Sequence, residues 1–198
     1  MFVSIEGIDG SGKSTLARTM KNRLMELGKP VFLTKEPTDR FFITAREQTD
    51  RTVENAADLF FRFTTDRLFH QAEINRELEK SRIVISDRYV HSSYAYQGPL
   101  LENLLGDMKT TLEWMMNVSR IISRMPDIVI FLDIAPENIT SRIARRKVRS
   151  GFEDPVYLKK VHDYYLKMID KNWKVIDSTL PQEKVVEIAL ETINGKYP

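Results

Sequence analysis

The feature that most constrains this chain is an eight-residue stretch at residues 7–14, which reads GIDGSGKS. It fits the phosphate-binding loop pattern G-x-x-x-x-G-K-[ST], in which backbone N–H groups surround nucleotide phosphates and the lysine reaches the β- and γ-phosphates. The hydroxyl of Ser14 is predicted to ligate Mg²⁺. The residues predicted to bind the nucleotide are Gly7, Ile8, Asp9, Gly10, Ser11, Gly12, Lys13, Ser14 and Thr15.

The residues on either side of this loop have the pattern that the motif requires. Residues 2–6 alternate apolar and polar side chains and then reach Gly7, which predicts a strand that ends at the loop. Residues 13–27 carry apolar side chains at spacings of four, four and three, which predicts an amphipathic helix. The alternative is a Gly-Ser turn that only joins a strand to a helix, but such a turn does not need the Lys-Ser pair.

The composition limits the class of protein. The 198 residues suit one domain spanning residues 1–198, and 42% hydrophobic with 29% charged residues is typical of soluble globular proteins. Cysteine is absent, which excludes disulfides and cysteine-based zinc sites and fits the reducing cytoplasm, where we expect the protein. A net charge of +2 disfavours a nucleic-acid polymer as partner, and no apolar run is long enough for a membrane span.

Short β-rich runs alternate with longer helical patterns along the chain. Apolar runs without polar interruption are typical of strands that are buried on both faces of a parallel sheet. Strands are predicted at residues 31–34, 83–86, 128–132 and 174–176, and helices at residues 52–80, 154–172 and 181–194. With the strand before the loop, this order predicts an α/β fold: a five-stranded parallel sheet with helices on both faces.

Ligands bind beyond the carboxyl ends of the strands in such a sheet, so the residues that follow each strand are candidates for function. Asp87 and Arg88 directly follow the third strand. A carboxylate beside a phosphate loop is suited to hold Mg²⁺, and an adjacent arginine is suited to grip a phosphate with two hydrogen bonds. A strand-end ion pair is the alternative interpretation of the same two residues.

Four arginines lie close together in the last third of the chain. Arg142, Arg145, Arg146 and Arg149 recur at offsets of three, four and seven, so they would share one face of a helix. In a phosphoryl-transfer enzyme they are suited to a basic lid, predicted at residues 142–153, that stabilises charge on the transferred group. A solvated helix face and a nucleic-acid patch are the alternatives.

Phe63 and Arg67 lie four residues apart on a predicted helix and therefore share a face. A ring is suited to stack on a base, and a guanidinium is suited to bond to a carbonyl group. From the residues alone, however, Phe63 would be assigned to the core, together with Phe60 and Phe61. We find neither metal-ligand spacing nor a defensible acid–base partner for the three histidines, His70, His91 and His162.

Several segments together resemble the thymidylate kinase family, a family of P-loop nucleoside monophosphate kinases. They are the loop at residues 7–15, KEPT at residues 35–38, the Phe63 and Arg67 pair, DRYVHSSYAYQG at residues 87–98 and PDIVIFLD at residues 126–133. The resemblance covers about residues 1–190, and Asp-Arg-Tyr with the downstream Ala-Tyr-Gln is its most specific part. It implies a three-layer P-loop NTPase fold and transfer of the γ-phosphate of ATP to dTMP with Mg²⁺, for dTTP biosynthesis, by a homodimer.

The resemblance also implies an acceptor site. Arg88 would hold the acceptor phosphate, Phe63 would stack on thymine, and Arg67 would bond to its O4. Tyr96 would crowd the 2′ position and disfavour ribonucleotides. The acceptor-binding residues implied are Asp9, Lys35, Pro37, Phe63, Arg67, Arg88, Ser92, Ser93, Tyr96 and Gln97.

On the donor side, the resemblance places Asp177 and Ser178 beside the adenine of ATP, and Asp87 with Ser14 at the magnesium. The catalytic residues that it implies are Lys13, Asp9, Arg88, Arg146 and Arg149. Because phosphoryl transfer needs mainly in-line positioning and charge neutralisation, we expect no covalent intermediate on the enzyme.

The chain departs from the family pattern in three places. Lys35 stands where many members have arginine, and Gly10 stands where some members carry a loop arginine. Members without the loop arginine place catalytic arginines in the lid, which is basic here. The lid's usual Asp-Arg before Phe-Glu is replaced by Ser150-Gly151.

Two other functions remain open from the sequence. One is another deoxynucleoside or nucleotide kinase of the same fold, which would use a different acceptor. The other is a nucleotide-binding regulator that has lost catalysis, although Lys13, Ser14, Asp87 and Arg88 are all present.

Overall fold

In the computed structural model, the described residues are 1–40, 44, 47, 50–143 and 154–195. Within them, five strands form one parallel sheet in the order β2-β3-β1-β4-β5. The strands are β1 (Phe2–Glu6), β2 (Val31–Lys35), β3 (Ile83–Asp87), β4 (Ile128–Asp133) and β5 (Trp173–Asp177). The predicted α/β fold is thus confirmed, because every predicted strand lies within one residue of an observed one.

The helices differ more from the predictions than the strands do. The helices over the described residues are α1 (Lys13–Glu26), α2 (Val53–Glu79), α3 (Val90–Leu105), α4 (Met108–Val118), α5 (Pro136–Ile143), α6 (Pro155–Met168) and α7 (Gln182–Asn194). The helix predicted to reach residue 172 ends at Met168, since the Asp170 carboxylate accepts the Asn172 N–H in a turn before β5. None of the described helices combines the length and apolar character needed to cross a bilayer.

Two apolar cores lie on opposite faces of the sheet, which gives the three layers. On one face, Val3, Ile85 and Ile130 pack with side chains of α1 and α7. On the other face, Phe2 and Phe131 pack with side chains of α2, α3, α4 and α6. Successive residues of β1 therefore face different layers, and both of these layers are apolar, as a central parallel strand requires.

Helices α3 and α6 approach each other unusually closely at Gly98. A Cβ atom at position 98 would lie 2.2 Å from Cε1 of Tyr164, whose ring is fully buried. The Tyr164 hydroxyl is also tied to Glu102 at 2.7 Å, so the ring is not free to move aside. This approach fixes α6 against the helix that follows Arg88.

We expect Gly98→Ala to destabilise the protein by about 3 kcal/mol, because the added methyl group overpacks the Tyr164 ring. Gly195→Ala is the matched control, since its Cβ would meet only the Glu191 carbonyl oxygen at 3.4 Å. Urea unfolding of both variants measures the difference. Equal midpoints for Gly98→Ala and the unmutated protein would contradict the close approach.

Candidate active site

The phosphate-loop residues connect β1 to α1 at the carboxyl edge of the sheet. Gly12 has φ +102° directly before α1, a conformation that side chains with a Cβ rarely adopt. Gly7 has φ +145°, and a Cβ there would lie 2.8 Å from both the Leu132 carbonyl oxygen and Ser11 Oγ. The glycines therefore let the loop turn tightly against β4 and present the N-terminal end of α1, which favours an anion.

Lys13 is the first residue of α1 and is buried, with 5% of its surface exposed. Its Nζ donates to the Ile8 carbonyl oxygen at 2.9 Å, so the side chain folds back over the loop. Burial, followed by the nearby charge of Arg88, lowers the pKa of Lys13 to about 8, although Asp9 and Asp87 oppose the shift. A buried ammonium group beside an anion-binding loop is suited to bind phosphate.

The lowered pKa of Lys13 predicts a pH dependence. Between pH about 8 and 10.5 the unfolded chain holds more protons at this residue than the folded chain, so its contribution to stability rises with pH in that window. Phosphates favour the protonated form, so we expect ATP binding to take up a proton near pH 8, and kcat/KM for ATP to fall above that pH. Calorimetry in two buffers of different ionisation enthalpy measures the uptake; its absence between pH about 7.5 and 9 would contradict this role.

Ser14 and Asp87, predicted together as magnesium ligands, lie next to each other although they are far apart in the sequence. Ser14 Oγ donates to Asp87 Oδ2 at 2.5 Å. Asp87 Oδ1 is buried and has no hydrogen-bond partner among the described residues. Hydroxyl and carboxylate oxygens are the ligands that Mg²⁺ prefers, and Mg²⁺ completes its shell with water and phosphate oxygens. The pair therefore fits a magnesium site beside the loop.

Arg88 follows β3 in the left-handed region, with φ +75°, a conformation that non-glycine residues adopt rarely and that often marks functional sites. Its guanidinium bonds to the Asp9 carboxylate and to Ser92 Oγ at 3.1 Å, and it lies 5.0 Å from the centre of the Tyr96 ring. Burial acts to lower the pKa of Arg88, but Asp9, Tyr96, Tyr165 and Asp87 together raise it well above its usual value. The result is a fixed cation between the loop and α3.

Glu6, the last residue of β1, holds in place the turn that contains Arg88. The carboxylate is fully buried and accepts the Tyr89 N–H at 2.8 Å and the Ser92 hydroxyl at 2.6 Å. The Tyr165 hydroxyl also donates to it, at 3.2 Å. Sequence reasoning missed this role, because Glu6 reads only as the polar end of a strand.

A cavity of about 210 Å³ opens between the loop, α2 and α3. All of the predicted acceptor-site residues except Lys35 line it. Two arginines bond to successive serines of α3 at its wall: Arg88 to Ser92 and Arg67 to Ser93, each at 3.1 Å. The cavity therefore has one guanidinium beside the phosphate loop and a second one farther from it.

The end of the cavity near Arg67 has the chemistry of a base pocket. Arg67 is 2% exposed, and its Nη1 is a buried donor for which the described part of the chain supplies no acceptor. Gln97 is 3% exposed, and its Oε1 is likewise an acceptor without a donor from the residues described. Since buried polar groups are normally paired, these two atoms fit a ligand that offers a carbonyl oxygen beside an N–H group.

Phe63 lines this cavity and is only half buried. Phe60 belongs to the apolar core, whereas Phe61 is 49% exposed at the surface. The core interpretation of Phe63, which the residues alone favoured, is therefore wrong, since three neighbouring rings on one helix point in three directions. A ring at the cavity wall is placed to stack on a planar ligand.

Sequence reasoning did not identify several residues of the candidate site. Glu36 lines the cavity and bonds to Arg67 through Oε2, at 2.7 Å from Nε and 2.6 Å from Nη2. Asp66 also lines it and holds the residues after β2, because its carboxylate accepts the Thr38 N–H at 2.7 Å. The only sequence signal for Glu36 was its place in the KEPT segment.

Two predicted residues lie outside the sites expected for them. The Lys35 side chain is exposed and pairs with Asp39 at 3.0 Å instead of lining the cavity, because it stands at the end of the edge strand β2. A second groove, of about 350 Å³, borders the loop and is lined by Ser178 and Leu180. Asp177 does not line this groove; its carboxylate accepts the Thr179 N–H at 2.8 Å.

The predicted lid at residues 142–153 lies almost wholly outside the described residues. The backbone of Arg142 forms part of the last turn of α5, whereas Arg145, Arg146 and Arg149 belong to the undescribed stretch. The roles assigned to Arg146 and Arg149 stay predictions.

Two of the three histidines form hydrogen bonds with acidic side chains that the sequence did not reveal, whereas His91 Nδ1 lies farther from its nearest acidic partner, at 3.8 Å from Glu6 Oε1. His70 Nδ1 lies 2.9 Å from Glu36 Oε1, and His162 Nε2 lies 2.6 Å from Asp133 Oδ1. The two residues of each hydrogen-bonded pair belong to different parts of the fold and are 34 and 29 residues apart in the sequence. No short sequence pattern therefore indicates either pair.

Known proteins match nearly the whole length of this chain. The family model described as "Thymidylate kinase" matches residues 5–188. A Thermoplasma acidophilum protein named "Probable thymidylate kinase" is 38% identical over 195 residues, which cover 98% of this chain and 95% of the relative. Proteins of the same name from Picrophilus torridus (44% identity; 83% and 79% covered) and Methanosarcina barkeri (37% identity; 97% and 95% covered) are also similar.

Proposed function

The chain belongs to the thymidylate kinase family, and on this premise we propose that it transfers the γ-phosphoryl group of ATP to dTMP, forming dTDP and ADP. The observation that carries this proposal is the cavity with two arginines. Arg88 stands beside the phosphate loop, and Arg67 stands with Gln97 at the other end. A ligand with a phosphate at one end and a pyrimidine base at the other matches this arrangement.

Thymine supplies what the base end lacks. Its O4 would accept from the buried Nη1 of Arg67, and its N3–H would donate to Oε1 of Gln97. Cytosine presents an amino group and an unprotonated ring nitrogen at these positions, so both contacts would be lost. A pocket that leaves its own buried polar groups unpaired with the wrong base discriminates strongly.

The phosphate end supports direct transfer. Arg88 would hold the acceptor phosphate with a charge-assisted pair of hydrogen bonds. Because Arg88 contacts Asp9, that phosphate would lie next to the loop. On the donor side, the loop amides and Lys13 would bind the β- and γ-phosphates of ATP. Donor and acceptor then approach in line, and no residue needs to form a covalent bond.

Magnesium fits the same edge of the sheet. The described part of the chain contains no cluster of three or more carboxylates and histidines that would form a metal cage. A two-oxygen site such as Ser14 and Asp87 is the usual protein share of a nucleotide-bound magnesium, which supplies neutralisation of phosphate charge.

Tyr96 is proposed to select the deoxyribose. Its hydroxyl accepts the Asp9 N–H at 2.9 Å, which holds the ring against the loop, beside Arg88. Because the side chain is 6% exposed and lines the cavity, a ligand's sugar would meet the ring at this wall. A 2′-hydroxyl there would need space that the ring occupies.

Four further proposals remain, of which those on the lid arginines and the homodimer rest on the family resemblance. Since Gly10 leaves the loop without an arginine, Arg146 and Arg149 of the lid would neutralise charge on the transferred group. The chain would act as one kinase domain in the cytoplasm and form a homodimer, for which sedimentation should give twice the chain mass of 23.1 kDa.

An acceptor panel tests the proposed function. ADP formation from ATP and Mg²⁺ is measured with dTMP, dUMP, dCMP, dGMP, AMP and thymidine, each over a range of concentrations. We expect kcat/KM for dTMP to exceed that for dCMP, dGMP and AMP by at least about 100-fold, given two buried contacts to the base. Equal turnover of dCMP, dGMP or AMP, or turnover of thymidine without dTMP, would overturn the proposal.

A further inference from the structure

Glu36 lies between two buried side chains of α2 and bonds to each through a different oxygen. Its Oε2 accepts a hydrogen bond from Nε of Arg67 at 2.7 Å and forms an ion pair with Nη2 of the same residue at 2.6 Å. Its Oε1 lies 2.9 Å from Nδ1 of His70. The side chain is only 5% exposed, so these two residues are its main environment.

His70 is enclosed on the far side of this carboxylate. Its side chain has no exposed surface, and its Nε2 lies 2.8 Å from Oγ1 of Thr34 on β2. A carboxylate only accepts hydrogen bonds, so Nδ1 carries the proton that bonds to Glu36, while the hydroxyl of Thr34 serves the other nitrogen. The proposed reaction does not use His70, which is not among the residues that line the cavity.

The geometry of Arg67 explains why the position of Glu36 matters. A guanidinium is planar and rigid, so fixing Nε and Nη2 also fixes the direction of Nη1. Nη1 is the buried donor that meets no acceptor among the described residues. A rotation of the Glu36 carboxylate would therefore turn this donor away from the place where a base carbonyl would lie.

We propose that His70 is a positioning residue for acceptor selection: it holds Glu36 so that Arg67 presents Nη1 to the carbonyl group at position 4 of the acceptor base. The inference rests on the proposed function. Loss of the Nδ1 hydrogen bond leaves Glu36 free to rotate about its terminal bonds and weakens the preference for a pyrimidine with a carbonyl over one with an amino group.

Two substitutions separate the two nitrogens of His70. Asparagine places an amide N–H near the position of Nδ1 and keeps the bond to Glu36, whereas glutamine reaches toward Thr34 and loses it. We expect His70→Gln to raise KM for dTMP about tenfold and to lower the dTMP over dCMP preference by a similar factor, with KM for ATP unchanged. His70→Asn and the control Thr34→Val should stay within about threefold of the unmutated protein.

A double-mutant cycle shows whether the effect passes through Arg67. His70→Gln is combined with Arg67→Ala, and the dTMP over dCMP preference is measured in all four proteins. We expect His70→Gln to have no further effect on this preference once Arg67 is absent. An equal effect in both backgrounds would overturn the proposal and identify a general packing role.

The outcomes also separate this inference from the proposed function. Failure of the unmutated protein to phosphorylate dTMP would overturn the function itself. Normal dTMP turnover with an unchanged preference in folded His70→Gln would overturn only the role of His70. If His70→Gln does not fold, as thermal unfolding would reveal, the comparison of His70→Asn with Arg67→Ala decides: a preference as weak as that of Arg67→Ala overturns the proposal.

Discussion

Replacing Arg88 by alanine is expected to lower kcat/KM for dTMP by about three orders of magnitude, while KM for ATP changes less than about threefold. The reason is that Arg88 is the fixed cation at the phosphate end of the cavity, held by Asp9 and Ser92. Its removal would delete the proposed pair of charge-assisted hydrogen bonds to the acceptor phosphate. The donor loop keeps its own contacts, so the loss should be confined to the acceptor.

Two controls make this result specific. Arg88→Lys keeps the charge but loses the planar fork, so we expect a deficit of about tenfold to 100-fold, between the unmutated protein and Arg88→Ala. Arg120→Ala removes an exposed arginine that lies well after Arg88 in the sequence. This control should change neither KM for ATP nor KM for dTMP. Initial rates over a matrix of ATP and dTMP concentrations give kcat and KM for each of the two nucleotides. An unchanged KM and kcat for dTMP in Arg88→Ala would remove the assigned role.

Replacing Lys13 by methionine is expected to lower kcat by about three orders of magnitude or more. The ammonium is buried over the loop, where the proposed β- and γ-phosphates of ATP would lie and where charge would have to be neutralised during transfer. The matched control is Lys109→Met, which removes a lysine whose side chain is 78% exposed and should leave the rate unchanged.

The stability of Lys13→Met distinguishes lost chemistry from lost folding. Burial disfavours the charged form of Lys13, as its lowered pKa shows, so an apolar side chain of similar length should not destabilise the fold. We expect the unfolding midpoint at pH 7 to be equal or higher, together with a nearly complete loss of activity. A rate within about tenfold of the unmutated protein would contradict the role of Lys13, and a lower midpoint would contradict the cost of burying its charge.

The parts of the fold that sequence reasoning predicted are those with local signals. The glycines and Lys13 lie within eight residues, the first strand alternates apolar and polar side chains, and the other strands are short β-rich runs bounded by polar residues. Helix α3 was missed, because Gly98 and Pro99 interrupt its pattern. Gly98 is there for its contact with Tyr164, a partner that belongs to a distant helix.

In the candidate site, too, the sequence predicted residue types with local signals but not the contacts between distant residues. The residue types at the strand ends were predictable, and Ser14 and Asp87, predicted together as magnesium ligands, are hydrogen-bonded to each other. Their binding of magnesium stays a prediction. The contact between Arg88 and Asp9 spans 79 residues, and the contact between Arg67 and Glu36 spans 31. Such contacts depend on strand order, which no local pattern encodes.

Tertiary packing also decided between local alternatives that the sequence left open. From the sequence, Phe63 could not be distinguished from a core residue, since its exposure depends on how α2 is rotated against the sheet. The sequence showed no partner for His70, because its two partners are distant in the chain. Thr34 lies in β2, and Glu36 is the residue directly after this strand.

The most direct test of the central claim follows the phosphoryl group itself. In a single turnover with excess enzyme, γ-³²P-labelled ATP, Mg²⁺ and dTMP, we expect the label to pass to dTDP with no labelled protein and little inorganic phosphate. Direct transfer between two bound nucleotides predicts this result, and dCMP in place of dTMP should leave the label on ATP. Label that appears on the protein, or mainly as inorganic phosphate in the presence of dTMP, would contradict the account.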